Sequence, residues 1–311
     1  MTGKPADLIS SSNLFEIAKF YGLTFQGKRG PRSKHVVING FRIHYLDWGN
    51  NGKPPMLLLH GGGQTAHIWD LFALCLRDEY HIYALDLRGH GDSEWSPITD
   101  YSEEANIRDL QGFIETYKLS KAILIGFSSG GGIAYSYAAR YLDKVAALVI
   151  VDIGPEANDI RRPGSNLIAS LEELDSIDDF VNRIMDNFPV RRPRAVLRRT
   201  LAHNLRQLPN GRWTLKTDRR FRIGWQESNP ETLPEATTRK WGYIRSIQCP
   251  TLIVRGEHSP ALLQDVANRM GGLIPGSRVV NISNAGHTLV GSNPPEFEER
   301  VREFLRTLPS W

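Results

Sequence analysis

Gly126-Phe127-Ser128-Ser129-Gly130 follows directly on the apolar run Ala122-Ile123-Leu124-Ile125 and leads directly into the helix-forming stretch Gly131 to Arg140. A strand that restarts at once as a helix has to bend sharply. Glycines two before and two after Ser128 leave room for that bend, which side chains at those positions would block. A serine at the apex is held in a strained conformation with its hydroxyl aimed outward, where a nucleophile belongs. The strand-then-helix setting, more than the Gly-x-Ser-x-Gly letters, gives the pattern its weight.

Working outward, Met56–Leu59, His81–Leu85, Ala122–Ile125 and Ala146–Val151 are continuous apolar runs separated by helical stretches. One such stretch carries Ile107, Leu110, Ile114 and Tyr117 at three- and four-residue steps. Strands apolar on both faces and alternating with helices predict an α/β fold whose mostly parallel sheet is covered on both sides. Two earlier strands, His35–Ile38 and Phe41–Asp47, flank Asn39-Gly40, a strong hairpin signal, and predict an antiparallel opening. After Gly154-Pro155 the alternation stops until about Pro234, and a helical, arginine-rich insertion replaces it. Thr251–Val254 and Arg278–Ile282 then complete an eight-stranded sheet, and a closing helix sets Phe297, Val301, Phe304 and Leu305 on one face. The expected organisation is a loosely attached leader over 1–34, a core over 35–154 and 235–311, and a helical cap over 155–234.

The 311 residues carry a net charge of +4 and form an ordinary globular composition. No run is apolar for the ~18 to 20 residues of a membrane span. The polar start, Met1-Thr2-Gly3-Lys4-Pro5-Ala6-Asp7, lacks the apolar centre of a secretory signal, so cytoplasmic residence is expected. Cys75 and Cys249 have no Cys or His at metal-ligand spacing and read as small core fillers. Basic and aromatic residues do not recur in a nucleic-acid-binding pattern. Gly61-Gly62-Gly63 and Gly130-Gly131-Gly132 lack both a following Lys-Ser/Thr and Gly-x-Gly-x-x-Gly spacing with a later acid. No cofactor and no metal are expected.

A serine hydroxyl is a poor nucleophile at neutral pH and needs a base within hydrogen-bond reach, itself oriented by a third group. Among nine histidines, His287 stands out: Asn284-Ala285-Gly286-His287 follows the last strand and precedes the final helix. That position lies at the carboxyl edge of the sheet, where the bend around Ser128 also lies and where open parallel sheets bind ligands.

With these residues the chain resembles the α/β-hydrolase family from about His35 to its end, including the order serine, acid, histidine. His60-Gly61-Gly62-Gly63-Gln64, after the Met56–Leu59 strand, is similar to the family's oxyanion loop. The resemblance implies an oxyanion hole made by the amides of Ser129 and of Gly62, or of Gly63. Asp86-Leu87-Arg88-Gly89-His90-Gly91-Asp92-Ser93 resembles the turn after the family's fourth strand, a scaffold in which Asp86 and Arg88 tie loops together. His60 is expected to be a structural hydrogen-bonder.

The sequence departs from the commonest family pattern at the acid. Family members usually carry Gly-x-x-Asp after the seventh strand, but here the stretch reads Gly256-Glu257-His258-Ser259-Pro260. A subset of the family places the acid after the sixth strand, and Asp152 stands there, in Val149-Ile150-Val151-Asp152-Ile153-Gly154-Pro155. A carboxylate directly after a buried strand needs a partner, and an imidazole N–H would be one. Glu257 and Asp265 remain alternatives, as does a helix-capping role for Asp152.

The resemblance implies a serine hydrolase that cleaves a carboxylic ester or related acyl substrate through Ser128, His287 and Asp152. Lactone, amide or C–C bond hydrolysis, or a ligand receptor that keeps the three residues, are the alternatives. Relatives that open epoxides or break carbon–halogen bonds use an aspartate in the bend, and Ser128 argues against both. From Arg191 to Arg222 the insertion carries Arg191, Arg192, Arg194, Arg198, Arg199, Arg206, Arg212, Lys216, Arg219, Arg220 and Arg222 against a single acid, Asp218. They form either a solvated face or an attraction for an anionic acyl substrate. Trp213, Phe221 and Trp225 either line an acyl pocket or anchor the insertion to the core.

Overall fold

The computed structural model describes residues 13–156, 173–187, 192–221 and 233–309. Its centre is an eight-stranded sheet in the order β1-β2-β4-β3-β5-β6-β9-β10. The strands are β1 (Arg32–Ile38), β2 (Phe41–Asp47), β3 (Pro55–Leu59), β4 (His81–Leu85), β5 (Ala122–Phe127), β6 (Val145–Val151), β9 (Thr251–Gly256) and β10 (Arg278–Ile282). Only the β1–β2 and β2–β4 pairings are antiparallel. The Asn39-Gly40 turn joins β1 to β2 with both residues at positive φ, 51° and 83°, as a two-residue hairpin of this twist requires.

Two layers of helix cover the sheet, and the period-two geometry of a strand decides which side chain meets which layer. Met56, Leu58, Ile123 and Ile125 pack with α1 (Leu14–Phe20), α2 (Asp70–Leu76) and α10 (Pro294–Leu305). Leu57, Leu59 and Leu124 face the other way, toward α3 (Glu103–Thr116), α4 (Ser129–Arg140), α7 (Leu233–Ser246) and α8 (Gln264–Leu273). A short helix α9 (Leu289–Ser292) sits between His287 and α10. No helix among the described residues is long and apolar enough to cross a membrane.

The expected loose leader is corrected over its described part. Asn13 caps α1 by accepting from the amide of Phe15 at 2.9 Å, and Leu14, Ile17 and Ala18 are buried on one face. That stripe docks α1 into the core layer of α2, and β1 begins at Arg32 rather than His35.

The insertion between β6 and α7 is not wholly helical either. It holds α5 (Ile177–Asn187) and α6 (Arg194–Asn204), but also a hairpin of β7 (Leu205–Gln207) and β8 (Trp213–Leu215). Phe180, Val181, Leu197, Leu201, Leu205 and Leu215 form a small core of its own. Polar contacts tie it to the sheet's loops: Thr65 Oγ1 donates to Asn204 at 2.9 Å and the Asp218 amide donates to the Gly89 carbonyl at 2.8 Å.

Candidate active site

β5 ends at Phe127 and α4 begins at Ser129, so one residue makes the whole turn. Ser128 takes φ 53° and ψ −122°, a conformation that costs a non-glycine residue on the order of 1–3 kcal/mol. Its amide donates to the Val151 carbonyl at 2.9 Å and its carbonyl accepts from Gly132 at 3.0 Å, which hold the strained residue in place. The flanking glycines have no substitute: a Cβ on Gly126 would stand 2.3 Å from the Gly130 carbonyl oxygen, and one on Gly130 would stand 2.4 Å from that of Leu59.

His287 and Asp152 converge on this serine. His287 Nε2 lies 3.1 Å from Ser128 Oγ, and His287 Nδ1 lies 2.7 Å from Asp152 Oδ2. Asp152, fully buried at the end of β6, also accepts from the Gly256 amide at 3.1 Å and from the Ser259 hydroxyl. Three donors thus surround a carboxylate that water does not reach, which is what a buried charge requires. Ser259 in turn accepts from the Ala261 amide at 3.1 Å. Its part as a donor to Asp152 went unread in the sequence, although its place at the family's usual acid position was the signal.

The other acids stand elsewhere. Glu257 is exposed and accepts from the Asn284 amide at 2.8 Å, which steadies the loop before His287. Asp265 sits in the first turn of α8. Gly256 lets β9 and the histidine loop meet, because a Cβ there would lie 2.3 Å from the Gly286 carbonyl oxygen.

The His60–Gln64 loop runs alongside the bend. A Cβ on Gly61 would come within 3.1 Å of Ser128 Cβ, and one on Gly62 within 3.7 Å of Ser129 Oγ. Gly62 and Ser129 are therefore neighbours beside Ser128, whereas Gly63, at φ 73°, faces open space. Buried His60 fixes the loop: Nδ1–H donates to the Gly61 carbonyl at 2.8 Å while Nε2 accepts from the Leu87 amide at 3.0 Å. Accepting at Nε2 needs the neutral ring, and burial lowers its pKa accordingly. Burial brings His90 down to about 3. Asp86 would be raised by burial, but donation from His44 and the Ala66 amide holds it at about 2. Arg88 forks onto Asp109 at 2.7 and 2.8 Å.

Most described cations of the insertion are paired. Arg194 and Arg198 bind Asp178, Arg199 binds Asp70, Arg212 binds Glu173, Lys216 binds Asp92 and Arg220 binds Asp218. Arg206 lies over the Trp95 ring at 4.9 Å. Of the aromatic residues, Phe221 reaches to 3.6 Å from the Cβ position of Gly62, while Trp213 packs within the insertion. Arg191, Arg222 and Trp225 lie outside the described residues. Metal-capable side chains meet at His67, Asp70 and His203, and at His44, Asp86 and Asp92. Asp70 is already engaged by His67 and Arg199, and Asp86 by His44 and two amides.

The model of the alpha/beta hydrolase fold family matches residues 54–294. The chain is 29% identical to "Esterase Rv0045c" of Mycobacterium tuberculosis over 291 residues, 90% of this chain and 92% of that one. It is 26% identical to the "sn-1-specific diacylglycerol lipase ABHD11" of Mus musculus, covering 91% of each. A solved structure of the M. tuberculosis esterase superposes with a TM-score of 0.74 at 27% identity, covering 94% of this chain and 97% of that one. The chain belongs to the α/β-hydrolase fold family and is a hydrolase.

Proposed function

We propose that the chain is a serine hydrolase that cleaves a small carboxylic ester or related acyl substrate through an acyl-enzyme on Ser128. The observation that carries the reading is the unbroken run of contacts from Ser128 Oγ through His287 to buried Asp152. With Asp152 accepting from Nδ1–H, the imidazole keeps Nε2 free to take the serine proton as Oγ attacks the carbonyl carbon. Asp152 then stabilises the imidazolium, and the Ser259 hydroxyl and Gly256 amide hold the carboxylate in orientation. The amides of Gly62 and Ser129 stand beside the nucleophile as donors to the developing oxyanion. His287 returns the proton to the leaving alkoxide, and the same steps with water release the acid.

The relative named as an esterase, similar over nine-tenths of both chains, favours an ester among the acyl classes. The ion pairs on the insertion favour an uncharged acyl group, since those cations are matched by acids of the insertion and core. The insertion acts as a cap, with Phe221 against Gly62 forming part of the acyl wall.

Turnover of short-chain aryl esters by the wild type and by Ser128→Ala tests the reading. Loss of at least about 10⁴-fold in kcat is expected, as for removal of other serine nucleophiles. Activity that survives the substitution would sink it.

A further inference from the structure

Arg192 reaches from the insertion onto the turn that follows His287. Its guanidinium lies so close to Gly291 that a Cβ there would stand 2.9 Å from Nη1 and 3.3 Å from Cδ, so only glycine leaves it this seat. Among the described residues no carboxylate or carbonyl accepts from it, in contrast to its neighbours Arg194 and Arg199. Nearby, at the end of α1, the Tyr21 hydroxyl is buried and also without a hydrogen-bond partner. The two are close enough to sense each other: burial lowers the pKa of Arg192, and Tyr21 opposes it.

Arg192 lines a cavity of about 30 Å³ together with Arg199, His67, Thr200, Leu14 and Val290. Asp70 also borders it, but its oxygens are taken by His67 and Arg199. Thr200 already donates to the Val196 carbonyl at 3.1 Å, and among the described residues nothing accepts from the Arg192 guanidinium, which leaves a cation in the cavity wall without an acceptor. At about 30 Å³ the space has room for one or two water-sized groups, the scale of the oxygens of a small acid group.

We propose that this junction of α1, the insertion and the α9 turn binds a small oxyanion, a carboxylate or a phosphate. The guanidinium of Arg192 supplies a charge-assisted fork to two of its oxygens. Occupancy would cross-link the insertion to α1 and to the turn beginning one residue after His287, coupling the anion to the seating of that histidine.

The test is the thermal stability of the full chain in inorganic phosphate, in acetate, and in sodium chloride at matched ionic strength. Three variants accompany the wild type. Arg192→Met removes the fork, Gly291→Ala unseats it, and Arg194→Met removes an exposed arginine two residues further along the chain. A ligand at ten times its Kd multiplies the folding equilibrium constant by about elevenfold. The expected result is a stabilisation by phosphate or acetate beyond that of chloride in the wild type and Arg194→Met, abolished in Arg192→Met and weakened in Gly291→Ala. Should Arg192→Met fail to fold, Gly291→Ala carries the comparison. Equal responses to all three salts in the wild type, or an undiminished response in the folded Arg192 or Gly291 variant, would overturn the proposal.

Discussion

Replacing Asp152 by Asn removes one charge and almost no volume, which makes it a sensitive probe of the relay. The carboxylate now accepts from three donors: His287 Nδ1 at 2.7 Å, the Gly256 amide at 3.1 Å and the Ser259 hydroxyl. An asparagine that turns its oxygen to the Gly256 amide presents its NH₂ to His287 Nδ1. The imidazole proton then has to sit on Nε2, 3.1 Å from Ser128 Oγ, where the ring can no longer take the serine's proton. The same tautomer error in a serine protease costs about 10⁴-fold in kcat, so a loss of that order is expected, about 5.4 kcal/mol of transition-state stabilisation. Glu257→Gln disturbs only exposed contacts, to the Asn284 amide and to His258 Nε2 at 3.7 Å, and should change kcat less than about tenfold. Steady-state kinetics on one aryl ester, with circular dichroism to establish folding, reads both. An Asp152→Asn enzyme within tenfold of wild type, or a Glu257→Gln enzyme as damaged as expected for Asp152→Asn, would refute the reasoning.

Three further outcomes follow from the same geometry. Because Ser259 donates to Asp152 from the family's usual acid position, Asp152→Ser combined with Ser259→Asp should recover more than about tenfold of the kcat lost in Asp152→Ser alone; no recovery in a folded double variant counts against the shared site. Gly256→Ala drives a Cβ into the Gly286 carbonyl and shifts His287, so kcat should fall by about 10²-fold with KM little changed, since ångström misplacements have that effect; a kcat near wild type would show that the loop yields freely. Burial lowers His203 to about 4 and His90 to about 3, below the usual 6.5. The folded state therefore binds fewer protons than the unfolded chain below pH 6.5, and stability present above that pH is lost as pH falls toward 4 and 3. Each histidine contributes a loss of about 2 kcal/mol by pH 5, and Asp86, near 2 when folded, adds nothing until pH drops below its ordinary range near 3.8. Urea denaturation at pH 7 and pH 5 measures this, and equal midpoints would contradict it.

What could be read in the sequence was what local pattern controls. The strand–Ser128–helix bend, the alternation that builds the sheet, and the position of His287 after the last strand depend on neighbours a few residues away. Contacts over longer spans were not legible. The donation from Ser259 to Asp152 joins residues 107 apart in sequence, and no local signal announces it beyond the missing acid. Arg199 and Lys216 of the insertion read as surplus charge because their partners, Asp70 and Asp92, lie far away in the chain. The β7–β8 hairpin was overlooked even though Asn210-Gly211, with Gly211 at φ 85°, is a hairpin signal, because each strand has only three residues. α1 spans seven residues, too few for periodicity to reveal that Leu14, Ile17 and Ala18 dock on the core.

The most direct measurement is the mass of the protein quenched during turnover of a slowly hydrolysed aryl ester, followed by peptide mapping. A covalent acyl group on the peptide containing Ser128 is predicted in the wild type, accumulating further in Asp152→Asn relative to its turnover and absent in Ser128→Ala. An acyl group on any other residue, or steady turnover by Ser128→Ala with no adduct, would contradict the assignment of Ser128 as the nucleophile.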